Sequence, residues 1–231
     1  SDTYPYPPSA PITDTREFLK TGYHGQVRTR QVVELTERIQ TTVRGFGGRV
    51  DSASGTERWG YVSFALPVDK LTVFRQELKA VAGARFLTEN ISSENLLPQK
   101  QSIEQQQSQV AKTLAQLRSD RAQLVGAHQR TVADIRAQQN AITQELAVVR
   151  AEVTNDPQRR AQIAQREQEL LRQNAQLETK LGNENAIYNK NLTSYDTQIR
   201  NIQTDQENLN QQDRNLIDNV ATVNGTATLN W

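Results

Sequence analysis

The feature that most constrains this chain is a 3.5-residue apolar repeat that runs twice between roughly residues 99 and 216. From Ile103 a seam steps by alternating fours and threes through Val110, Leu114, Leu117, Leu124, Val132, Ile135, Ile142, Leu146 and Val149 to Val153. A second run starts at Ile163 and passes Leu170, Leu177, Leu181, Leu192, Tyr195, Ile199, Ile202, Leu209 and Leu216 to reach Val220. Each run contains one extra step of four, at His128 in the first and Tyr188 in the second. The repeat predicts a left-handed coiled coil, and the inserted four is a stutter that unwinds it locally. Folded about Asn155, Asp156 and Pro157, the two runs form an antiparallel helical hairpin with the stutters at matching heights. Each arm then holds about 60 residues, or roughly 80–90 Å of helix at 1.5 Å per residue.

Polar residues occupy the remaining seam positions, among them Gln107, Arg121, Gln139, Glu167, Asn174, Glu184, Gln206 and Asp213. They weaken the seam but fix its register. Gly126 and Gly182 are the only glycines of the arms, and both stand beside the stutters. They predict a bend or soft point there, with His128 stacked near Tyr188 in the core in preference to binding a metal or switching with pH. At the turn, Asp156 is placed to cap the second helix with Pro157 as its first residue. Arg150, Arg159 and Arg160 make that tip basic, so with Asn155 and Asp156 it is a candidate contact for an acidic partner or lipid head groups.

Before the hairpin the pattern is mixed. Residues 1–15 form a Pro-rich arm, followed by an α+β head over 16–97 that is completed by 221–231; the hairpin itself takes 98–220. Strands are expected over 17–28 (irregular or bulged, because of Gly22 and Gly25), 49–56, 58–66 and 85–91. A helix over 30–46 presents Val32, Leu35, Thr36, Ile39, Val43 and Phe46, and a second, with Asp69 as its cap, presents Leu71, Phe74, Leu78 and Val81. The order β-α-β-β-α-β predicts a ferredoxin-like sandwich with its helices on one sheet face and the other face open. After Val220, Asn224-Gly225 signals a two-residue hairpin.

Composition excludes several function classes. Lys and Arg total 27 against 26 Asp and Glu, and no basic stripe of a nucleic-acid binder is present. There are no cysteines, and the two histidines lie on different elements. No phosphate-binding glycine loop or nucleophile elbow is found, so no enzyme activity, cofactor or metal is expected. The chain begins at Ser1 without Met, which a processed, exported protein or a trimmed chain would explain equally well.

Three stretches carry a family resemblance: GFGGRVDSAS (45–54), YVSFALPVDKLTVFRQEL (61–78) and GARFLTENIS (83–92). They resemble the "domain of unknown function 4349" family, departing from it at SSENLLPQKQ (92–101) and in the length of the arms. The resemblance implies a coiled-coil insertion after the fourth strand and a last strand, 226–231, that rejoins the sheet. It further implies a non-enzymatic structural protein of the bacterial cell envelope, in the periplasm or on the cell surface. Such a protein is often lipoprotein-like, with any membrane tether outside this chain. The expected partner is a second copy or another envelope protein. Alternative roles are a periplasmic adaptor in a transport machine and a membrane-tethered sensor.

Overall fold

A computed structural model describes residues 18–231. The Pro-rich arm over 1–15 lies outside the described residues. The chain divides into two compact units, one formed by the chain through Gln109 with Glu207–Trp231, the other by Val110–Gln206.

In the first unit the elements are β1 (Leu19–Arg28), α1 (Val32–Gly45), β2 (Arg49–Gly55), β3 (Trp59–Pro67), α2 (Leu71–Ala82), β4 (Leu87–Asn95) and β5 (Thr222–Asn230), together with the roots of two long helices. The five strands lie in the order β2-β3-β5-β1-β4. The C-terminal strand β5 is central, parallel to β1 and antiparallel to β3. It therefore separates β1 from β3, which a four-stranded ferredoxin-like sheet would place side by side.

One core explains why both helices lie on the same sheet face. Val32, Leu35, Ile39 and Val43 of α1 and Leu71, Phe74 and Leu78 of α2 bury against Tyr23 and Val27, Val62, Phe64 and Leu66, and Val223, Ala227 and Leu229. The three inner strands β3, β5 and β1 contribute alternate residues, as a sheet buried on one side requires. Phe64 and Phe74 pack with ring centroids 5.0 Å apart, and Tyr23 meets Phe74 edge-on at 5.8 Å.

Three local expectations are corrected. Asn224-Gly225 makes no hairpin: both residues lie inside β5, and Gly225 is needed because a side chain there would strike the Phe64 ring. β1 carries no bulge, since its register runs unbroken against both neighbours. Gly25 instead leaves room for the Tyr23 ring, and the sheet's irregularity falls between Val50 and Ser52 of β2. Asp69 does not cap α2; it sits within a short 3₁₀ turn, Val68–Lys70, and the helix starts after it without a side-chain cap.

The long helices are α3 (Leu97–Ala151) and α4 (Pro157–Ala221), which pack against each other as a hairpin. The seam inferred from spacing is their contact line, because each of its residues within the helices is buried or half-buried. Val153 is the exception. It follows the end of α3, where the chain has begun to turn, and is 93% exposed. A second, smaller core of Phe18, Leu96, Ile103 and Leu216 holds the helix roots within the first unit. No helix among the described residues is long and apolar enough to cross a membrane.

Candidate functional site

At the hairpin root, in the first unit, Lys100 is buried. Its Nζ donates to Asp213 Oδ1 at 2.6 Å and lies 3.3 Å from Glu104 Oε1. Burial pulls this ammonium down, but the Asp213 and Glu104 carboxylates outweigh it and raise the group above the ordinary lysine value. Asp213 belongs to the polar seam set. Lys100 went unread, although it lies three residues before Ile103 and continues the same four-three spacing backwards. Gln107 Nε2 next donates to Asn210 Oδ1 at 3.0 Å, so a polar seam residue finds a partner across the helices.

In the second unit the pattern continues with Arg121 Nε donating to Asp196 Oδ1 at 2.6 Å. At the stutter the His128 and Tyr188 rings stack with centroids 3.8 Å and planes 6° apart. His128 Nδ1 is 3.3 Å from Glu184 Oε1, a distance that suits an Nδ1–H donating to the carboxylate. Gly126 and Gly182 face open space, with nothing within 4 Å of where a Cβ would stand. Both helices continue through this level. Any softness here comes from glycine's weak helix propensity, roughly 1 kcal/mol relative to Ala.

The tip is less basic than its composition suggests. Arg159 grips Glu152 with Nε–Oε1 at 2.6 Å and Nη2–Oε2 at 2.8 Å, and Arg150 Nε donates to Glu167 Oε1 at 2.7 Å. Arg160 has no ion pair among the described residues. Asp156 caps α4: its Oδ1 accepts from the Gln158 N–H at 2.9 Å, and Pro157 opens the helix with no N–H to satisfy. Asn155 is exposed beside it.

Strand register on the face away from α1 and α2 produces an arrangement that no sequence window shows. One cross-strand row reads Ser54, Tyr61, Thr228, Gln26 and Thr88; the next reads Ser52, Ser63, Thr226, His24 and Asn90. His24 Nδ1 is 2.7 Å from Thr226 Oγ1 and its Nε2 is 3.3 Å from Gln26 Nε2, so both ring nitrogens have polar neighbours. Among the described residues no group of three or more His, Cys, Asp or Glu is gathered as a metal site. Comparisons with protein-family models, curated proteins and solved structures give no match for this chain.

Proposed function

We propose that the protein is a non-enzymatic scaffold of the bacterial cell envelope in which the helical hairpin joins copies of the chain. The observation that carries the assembly role is apolar surface outside the seam. Val148 is 70% exposed, Leu171 46% and Ile187 59%, on flanks that a two-helix coiled coil does not use. Further helices packed alongside would cover these side chains and widen a thin seam. Envelope placement rests on the resemblance to the "domain of unknown function 4349" family. The head is read as a ferredoxin-like sandwich opened by β5, a reading supported by its β-α-β-β-α-β order and by the flanking pairs β2-β3 and β1-β4.

A second reading, docking of the tip onto another envelope component such as a transport channel, draws on Arg160 and the exposed Val153. It is the weaker of the two, because Arg150 and Arg159 already have carboxylate partners. Sedimentation velocity on the intact chain and on a Val148→Asn/Leu171→Asn/Ile187→Asn variant separates them. The assembly reading expects the variant to sediment as a lighter species. Equal sedimentation of both would remove its support.

A further inference from the structure

The outer face of the head sheet carries a pattern that the scaffold reading does not use. Of its three complete cross-strand rows, the two described above contain no Asp, Glu, Lys or Arg, and the third, Arg49, Ala65, Asn224, Gly22 and Ser92, has a charge only at its β2 end. The charged residues of this face, Lys20, Arg28, Arg49 and Glu94, stand toward the strand ends and leave these two rows uncharged. Here the positions hold hydroxyls, amides, an imidazole and one tyrosine. Hydroxyls and amides both donate and accept hydrogen bonds, which suits a ligand bearing many hydroxyls. Such a face offers little to a nucleic acid, whose affinity comes mainly from cations placed against its phosphates.

On β3, one strand in from the β2 edge, the Tyr61 ring of the first row lies parallel to the Trp59 ring beside it to within 5°, with centroids 6.4 Å apart. Trp59 is 44% exposed. The electron-rich face of an aromatic ring attracts the polarised C–H groups on the flat side of a sugar ring. From Tyr61 the row continues through Thr228 to Gln26 and beyond. With strands about 4.8 Å apart, five of them make a polar track about 20 Å long. Contacts of His24 with Thr226 and Gln26 hold part of the track in place before any ligand arrives, which lowers the entropy lost on binding.

We propose that this face is a glycan-binding platform for a neutral polysaccharide, with sugar rings stacked on Trp59 and Tyr61 and hydroxyls bonded along the track toward Gln26. Uncharged side chains complement an uncharged polymer, and the parallel aromatic faces give it a stacking surface.

Affinity electrophoresis of the full chain tests this, in native gels containing hydroxyethyl cellulose, laminarin or dextran, with heparin and poly(U) as anionic controls. At least one neutral polymer should retard the chain. Trp59→Ala and Tyr61→Ala should each weaken that retardation about tenfold, with circular-dichroism melting confirming that both fold. Thr228→Val should weaken it while leaving the aromatic pair intact. Trp231→Ala, at the cleft beside the start of α1, should change nothing. Failure of all three neutral polymers to retard the chain overturns the proposal, as does retardation that ignores Trp59→Ala. Retardation by heparin or poly(U) alone would assign the effect to charge. A Trp59→Ala variant that lowers the oligomeric mass without any polymer effect would make this face a contact between copies, and that too overturns the proposal.

Discussion

His128 and Tyr188 lie face to face across the hairpin, 3.8 Å between ring centroids, at the level where both apolar repeats take their extra step. A stutter opens the regular knobs-into-holes packing, and a flat aromatic pair fills such a gap better than two aliphatic side chains. His128→Ala and Tyr188→Ala should each lower stability. A double-mutant cycle read by urea unfolding should show about 1 kcal/mol of coupling. Additive losses would mean that the stack contributes nothing of its own.

Gly126 and Gly182 stand on the open side of the same level. Replacing either with Ala should stabilise its helix by about 1 kcal/mol, because the new methyl meets no neighbour. Thermal melting of the two variants checks this. A fall in melting temperature would show that the glycines answer a need of the native backbone.

Lys100 and Asp213 make the corresponding prediction at the root. Lys100→Ala strands two partly buried carboxylates, and should cost about 3 kcal/mol by urea unfolding. The exchanged pair Lys100→Asp/Asp213→Lys should recover part of that loss. No recovery would indicate that packing of the lysine stem against the small core, and not the ion pair, is what matters.

The head has a pH-sensitive clasp. Glu89 accepts hydrogen bonds from Tyr23 Oη at 3.1 Å and from Arg75 Nε and Nη2 at 3.0 and 3.1 Å, and Lys79 Nζ is 3.1 Å away. Burial pushes the Glu89 carboxyl up. The bonds from Arg75, Lys79 and Tyr23 outweigh it and hold the group below the usual carboxylate range. A depressed native value gives stability that is present above the unfolded carboxyl's value, about 4.3, and lost as pH falls through the lower native one. Glu89→Gln should cost about 2 kcal/mol at neutral pH and flatten the acid limb of the stability curve. An unchanged acid limb would place the pH dependence elsewhere.

Gly225 tests the placement of β5. A methyl at this position runs into the Phe64 ring, so Gly225→Ala should cost about 2 kcal/mol by urea unfolding. Phe64→Leu in the same chain should relieve part of the strain. Independent effects would argue that the two residues do not meet.

The hairpin was legible in the sequence because its rule is local: a 3.5-residue spacing names the seam without knowledge of the partner. The head helices were legible for the same reason, through Val32, Leu35, Ile39 and Val43 or Leu71, Phe74 and Leu78. What was not legible depends on long-range pairing. Asn224-Gly225 carries a turn signal that is overridden once β5 is drawn between β1 and β3 and Phe64 claims the space over Gly225. The row joining Gln26 to Tyr61 exists only through the register of strands that the chain separates widely. Lys100 was missed for a simpler reason, since a lysine at the start of an amphipathic helix reads as solvated until Asp213 is set opposite it.

The most direct test of the assembly claim is the light-scattering mass of the intact chain beside a version in which residues 127–181 are replaced by a short loop, each measured over a range of concentrations. The account predicts that the intact chain forms a defined multiple of its 26.1 kDa mass, while the shortened chain remains a single copy. Single-chain mass for both, at every concentration, would contradict it.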